Sequence, residues 1–299
     1  MKRHYLLLFL LIFGISCKKN SKKDIDSAKL YTVVFSTTGF TQSTEMVNAI
    51  QGGKSVAVSG ADPASGVDHI YYVVSKATGD KEFVKIIHQV RGQTADFGII
   101  TDNLPSGRYN IGFLASGEAL NLENNRSLQL ALPVQENLYY VNMQVDVSGQ
   151  LNREILLPRI VSQIEIQLED VVPNNVNSLH ISFEGVDDGE SGVLKTLDVP
   201  TGDADNSGLY IVRPITNAEK GQKLTLKYYV PFLSVNSAIK VNFEVRDATG
   251  NTLIDYTVSN VGLTQAKRTI LKGSLFDKVD GAEIIIHDTP WENNPVIEF

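Results

Sequence analysis

The chain has 299 residues, 42% hydrophobic and 20% charged, the make-up of a folded globular protein rather than a disordered or collagen-like one. Its formal net charge is −7, with no basic excess to track a nucleic-acid backbone, so nucleic acid is excluded as a partner. One cysteine, Cys17, excludes an internal disulfide framework.

Cys17 closes the first element of the chain. Lys2 and Arg3 make a positive start, Tyr5 to Phe13 an apolar run, and Gly14 and Ser16 put small residues ahead of the cysteine. This is the anatomy of a signal peptide over residues 1–16, and the run is too short to span a bilayer. The segment resembles the lipobox of bacterial lipoproteins, although Gly14 stands where leucine is commoner. The resemblance implies that Cys17 becomes the first mature residue and carries diacylglycerol and an N-acyl chain such as palmitate. Each buried methylene contributes about 0.8 kcal/mol, so two or three chains anchor where one holds only marginally. The alternative is a secreted chain with an incidental thiol. Cleavage also removes Lys2 and Arg3, taking the charge to −9.

Residues 17–29 form a lipidated tether, rich in charge and poor in β-formers. Its lysines (Lys18, Lys19, Lys22, Lys23) either touch anionic headgroups or are simply solvated.

From Leu30 onward the hydrophobic period is two. In "RYNIGFLAS", Tyr109, Ile111, Phe113 and Ala115 share a face; in "YYVNMQVDV", Tyr139, Val141, Met143, Val145 and Val147 do. "RIVSQIEIQLED" sets Ile160, Ile164, Ile166 and Leu168 against Gln163, Glu165, Gln167 and Glu169. "AIKVNFEVRD" aligns Ile239, Val241, Phe243 and Val245. Such segments predict half-buried antiparallel strands with one face to water. "STEMVNAIQ" alone has room for two helical turns. The segments "YYVVSKATGDKEFVKI" (71–86) and "NFEVRDATGNTLIDYT" (242–257) echo one another as hairpins around a Gly-Asp or Gly-Asn corner. The echo predicts two similar sandwiches, an N-terminal one over 30–150 and a C-terminal one with a tail over 151–299. The seam is placed at "SGQLNRE", residues 148–154.

Several segments together resemble the fimbrillin-like family, the lipoprotein-derived fimbrial subunits of Bacteroidetes. These are the lipobox and tether, "DNLPSGRYNIGFLAS" (102–116), "LPRIVSQIEIQLEDVVPNNVNSLHISFEG" (157–185) with Arg159 ahead of its strand, and "KRTILKGSLFD" (267–277) followed by "AEIIIHDTPWENN" with Trp291. The resemblance implies an all-β fold of two tandem transthyretin-like Greek-key sandwiches. It also implies an outer-membrane lipoprotein that meets other fimbrial subunits by β-strand addition. Shaft subunits of that family are trimmed at an early arginine, whereas here none lies between Arg3 and Arg91. An anchor or accessory subunit, or an adhesion protein, fits better. Which face of the outer membrane it occupies stays open, because lysines rather than acidic residues follow Cys17.

Sites of chemistry are sparse. "DADNSG" opens like a calcium loop, with Asp203, Asp205 and Ser207 as oxygen donors and Gly208 at the bend. Its twelfth position is Pro214 rather than a bidentate glutamate, so a plain turn is preferred and no metal or cofactor is expected. "DDGESG" (187–192) is similarly ambiguous. His69, His88, His180 and His287 lack zinc-ligand spacing, and His180, between Leu179 and Ile181, is expected to face solvent. Without a nucleophile elbow or a phosphate-binding glycine loop, no enzyme is expected. The rival function is a cell-surface lipoprotein that binds a ligand, such as a glycan or a host surface. Tyr71, Tyr140 and Tyr229 would supply a stacking platform, or else cover a sheet face at the seam. The C-terminal strand, Glu283 to His287, precedes a tail ending in Val296, Ile297 and Phe299. That tail either docks on its own domain or adds to a neighbour.

Overall fold

The computed structural model describes residues 29–41, 66–78, 84–186, 192–277 and 283–290. Expectations about Cys17, "STEMVNAIQ", Trp291 and the last apolar residues lie outside them, as does nearly all of "DDGESG". The described chain is all-β, without a helix. Its first strands are β1 (Leu30–Thr41), β2 (His69–Lys76), β3 (Val84–Val90), β4 (Ile99–Pro105), β5 (Gly107–Ser116), β6 (Leu122–Glu123), β7 (Ser127–Gln129), β8 (Leu138–Val147) and β9 (Leu151–Pro158). There follow β10 (Val161–Leu168), β11 (Ser178–Gly185), β12 (Thr196–Asp198), β13 (Ala204–Asp205), β14 (Leu209–Pro214), β15 (Thr225–Pro231), β16 (Asn236–Arg246), β17 (Thr252–Thr264), β18 (Lys267–Gly273) and β19 (Glu283–Pro290).

The alternation seen in the sequence builds two sandwich cores. In the first, sheet β4-β1-β9 faces sheet β3-β2-β5-β8. Val33, Phe35, Ile100 and Leu104 from one meet Tyr72, Tyr109, Ile111 and Phe113 from the other, all fully buried. Phe35 meets Phe113 edge-on, ring centres 5.2 Å apart. Burying each such side chain contributes about 1.5–3 kcal/mol. At the β4–β5 corner the Tyr109 hydroxyl donates to the Pro105 carbonyl at 2.9 Å, so the Leu-Pro-Ser-Gly-Arg-Tyr stretch is latched by its own tyrosine. In the second sandwich, sheet β15-β10-β18-β19 faces sheet β14-β11-β16-β17.

The pairing pattern repeats. β1 runs antiparallel to β4 and parallel to β9, and β10 runs antiparallel to β15 and parallel to β18. β2 lies between β3 and β5, with β8 beyond β5; β11 lies between β14 and β16, with β17 beyond β16. The strand echo in the sequence has a different origin, because it matches β2–β3 to β16–β17, which hold different places in the repeat. The true counterpart of hairpin β16–β17 is β5–β8, whose connection has been lengthened to carry β6 and β7.

Four expectations are corrected. The strands are not all antiparallel, since β1–β9 and β10–β18 run parallel. Central strands are covered on both faces: Gln163 and Glu165 of β10 are buried, Glu165 beside Arg268 at 3.0 Å. His180 lies on the outward face but is buried there rather than open to solvent, its two ring nitrogens engaged by Ser178 and by the Tyr210 hydroxyl. The stretch at 148–154 leads straight into β9, which pairs with β1 and puts Ile155 and Leu157 into the first core. The change of core falls at Arg159, buried, whose guanidinium donates to the Tyr139 hydroxyl at 2.8 Å and to Asn137 at 3.0 Å.

Candidate functional site

The two sandwiches share a seam. Tyr71, Val73, Leu114 and Tyr140, on the outward face of β2, β5 and β8, join a cluster with Leu128, Leu197 and Val199. The Tyr140 hydroxyl donates to the Val199 carbonyl at 2.9 Å, and Gly112 of β5 lets that carbonyl come against the sheet. The lengthened connection supplies β6 and β7, which extend into β12 and β13 as one small sheet, β13-β12-β7-β6. Arg126 clamps Asp198 across it through two hydrogen bonds of 2.5 and 2.9 Å. Burial pushes the Asp198 carboxyl up, but the bonds from Arg126 and Thr201 outweigh it and its pKa lies below the ordinary value.

The three platform tyrosines therefore belong to the seam. Tyr71 and Tyr140 are buried there, and the half-buried Tyr229 donates to Glu136 at 2.8 Å and accepts from Gln163. Asp203 and Asp205 serve a turn: Asp203 accepts from the Thr201 hydroxyl at 2.9 Å, and Asp205 from the Ser207 backbone N–H at 2.9 Å. No three His, Cys, Asp or Glu side chains gather as for a metal among the described residues. His69 and His88, cross-strand neighbours on β2 and β3, bring ring nitrogens to 3.0 Å, and His88 stacks on Tyr71. Burial and His69 together hold His88 below the ordinary imidazole pKa. His287 lies in β19.

Two surfaces have the chemistry to meet a partner. The first is a sheet edge. In the second sandwich β18 takes β19 as an antiparallel neighbour; the matching strand of the first sandwich, β9, pairs with no strand beyond β1 among the described residues. Such an edge presents a row of backbone N–H and C=O groups. Its exposed Asn152, Arg153 and Glu154 do not forbid pairing, since β18 carries Lys267, Arg268 and Lys272 and still accepts a strand.

The second surface is the outward face of sheet β14-β11-β16-β17, which carries a hollow of about 350 Å³ lined by His180, Ser182, Tyr210, Asn242, Glu244, Asp255 and Thr257. Register sets these residues in rows. Tyr210, Ser182, Asn242 and Thr257 lie across the four strands, and Val212, His180, Glu244 and Asp255 lie one step along. Thr257 donates to Asn242 at 2.8 Å and Asn242 to Ser182 at 2.9 Å. The Glu244 carboxylate is held by Arg246 at 2.9 Å and by Thr252 at 2.5 Å, which keep its pKa low. His180 sits between Ser178 and the Tyr210 hydroxyl, and burial followed by the nearby Arg246 charge keeps its pKa below the ordinary imidazole value. Tyr210 was missed in the sequence because Leu209-Tyr-Ile-Val212 reads as a mixed apolar run, and only the pairing with β11 shows that Tyr210 shares a face with serine and asparagine.

No family model and no curated protein matches the sequence. Among solved structures, the fimbrial anchor protein Mfa2 of Porphyromonas gingivalis is similar at 11% identity and TM-score 0.49, over 86% of this chain and 96% of that one. A proposed polysaccharide-binding protein of Bacteroides thetaiotaomicron is similar at 13% identity and TM-score 0.49, over 89% and 99%. A proposed adhesin of Bacteroides ovatus is similar at 12% identity and TM-score 0.47, over 87% and 94%. The chain's structural neighbours are thus fimbrial and adhesin-type proteins of Bacteroidetes.

Proposed function

We propose that this chain is an outer-membrane lipoprotein, held through acyl chains on Cys17, that serves as an anchor or accessory subunit of a fimbria or as an adhesion protein. The observation that carries the reading is the mismatch between the two copies of one fold. β18 has a strand on its outer edge and β9, its counterpart, has none among the described residues. A strand from a neighbouring subunit, laid beside β9, would complete the first sheet in the way β19 completes the second. Main-chain hydrogen bonds would then supply affinity and alternate side chains would supply selectivity. The proposal includes no catalytic step and no cofactor.

Deleting the gene in the native bacterium tests the reading. Fimbriae that shed into the medium, and are retained again when the gene is restored, are the expected result. Unchanged fimbriae together with unchanged adhesion would overturn it. A second reading, a surface lipoprotein that binds a small ligand, is favoured by the polar concave face around Tyr210.

A further inference from the structure

We infer that the outward face of sheet β14-β11-β16-β17 is a binding site for a neutral oligosaccharide, with Tyr210 as its stacking platform. The inference rests on the ligand-binding reading of this face and stands whether or not β9 receives a strand.

The two copies of the sheet make the case. In the first sandwich the corresponding outward face is apolar (Tyr71, Val73, Leu114, Tyr140) and buried in the seam. In the second it is polar, uncovered among the described residues and hollow. A merely solvated face needs neither a large exposed aromatic nor a buried polar group beneath it, and this one has both. Tyr210 is 55% exposed, yet its hydroxyl is fixed by His180, itself 8% exposed and held on its other side by Ser178 at 3.0 Å. The ring is therefore set in one orientation before any ligand arrives, which lowers the ordering cost of binding.

The chemistry around the ring selects the ligand. A sugar ring has one face of C–H groups and a rim of hydroxyls. Tyr210 offers the flat apolar contact and Val212, 47% exposed, extends it along the edge strand. From Tyr210 to Thr257 the row crosses three strand spacings, about 14 Å, which is longer than one sugar ring. Along it Asn242 keeps one amide N–H beyond its bond to Ser182, and Thr257 keeps acceptor capacity. Asp255, exposed one step along, makes no hydrogen bond among the described residues and is free to accept from a pair of hydroxyls. Of the two carboxylates that line the hollow, Glu244 is engaged by Arg246 and Thr252, which leaves the Asp255 charge open. That charge repels an anionic sugar and leaves a neutral one. The volume, about 350 Å³, falls at the small end of ligand sites, which run from about 300 to 1,000 Å³.

The test uses the full chain in detergent, titrated calorimetrically with mannohexaose, cellohexaose, chitotetraose and, as the anionic arm, sialyllactose. Binding of at least one neutral probe is expected, weakened about tenfold in Tyr210→Ala and less in Tyr210→Phe, with melting temperatures close to the parent. Asp255→Asn is expected to weaken the neutral probe and to relieve the exclusion of sialyllactose. A neutral probe bound equally by parent and Tyr210→Ala would overturn this site while sparing the ligand-binding reading. Preference of the parent for sialyllactose would overturn the assignment of class. No binding by any probe at millimolar concentration would overturn both.

Discussion

Of the described glycines, Gly112 leaves the least room for a Cβ, and adding one methyl group there should strain the seam between the two sandwiches. A Cβ at this position would overlap the Val199 carbonyl oxygen and lie 2.5 Å from its carbon and 2.8 Å from Cγ1, where real Cβ atoms essentially never come within 3.0 Å. The obstacle is backbone, so it cannot swing aside as a side-chain tip would. Moving it loosens the Tyr140 hydroxyl bond to the same oxygen and the Val199 N–H bond to Arg126, each 2.9 Å long. Overpacking costs about 1–3 kcal/mol and one weakened hydrogen bond about 0.5–1.5 kcal/mol. Gly112→Ala should therefore destabilise by about 2–4 kcal/mol in total. At about 2–4 °C per kcal/mol for a chain of this size, the melting temperature should fall by roughly 4–16 °C. The control is Gly149→Ala in the β8–β9 turn, where an added Cβ meets nothing within 4 Å, and which should stay within about 0.5 kcal/mol of the parent. Thermal and urea unfolding of the three proteins side by side measure both. If Gly112→Ala melts with the parent, the seam is not packed as described and the reasoning fails.

Arg159→Met removes a buried guanidinium that bonds Tyr139 and Asn137, and should cost about 2–4 kcal/mol in urea unfolding; a loss below about 0.5 kcal/mol would mean that the junction is held by something else. Asp247, capped by the Thr249 hydroxyl and then the Asn251 and Thr249 N–H groups, has its pKa pulled from 3.8 to about 2. A carboxyl whose folded pKa is depressed stabilises above the unfolded value and loses that contribution as pH falls toward the folded one. The gap in urea midpoint between parent and Asp247→Ala should therefore be full near pH 5 and close near pH 2; an equal gap at both would refute the assignment. Cys17→Ser should leave an unprocessed precursor or a released soluble chain, and native-size protein still in the outer membrane would end the lipoprotein proposal. Chelator should barely move the melting temperature, because Thr201 and Ser207 already occupy Asp203 and Asp205; a shift of many degrees would make those aspartates ligands.

Fold class was legible because period-two alternation is a local property. Tyr109, Ile111 and Phe113 had to share a face, and they do so in the first core. What pairs with what is not local. Nothing in Leu151–Pro158 announces a parallel partner more than a hundred residues back, so β9 was assigned to the wrong side of the seam. The same blindness affected the polar residues: Gln163 and His180 alternate with apolar neighbours as solvent-facing residues would, and only the strands and side chains around them decide that they are covered. For the tyrosines, both alternatives were visible, and the close fit of Gly112 against Val199 decides for the seam. The face around Tyr210 was illegible for a related reason, since its members come from four separate strands and converge only through register.

The central place of β1 has a mechanical consequence. If the chain is tethered at its N-terminal end and loaded by a partner, tension enters at Leu30 and pulls β1 lengthwise between β4 and β9. Hydrogen bonds along both edges then resist in shear and share the load, whereas a strand peeled from an edge surrenders them one after another. Resistance to pulling is governed by the rate of forced unfolding rather than by equilibrium stability. A strand gripped on both sides near the tether gives that rate a high barrier where the strain arrives first.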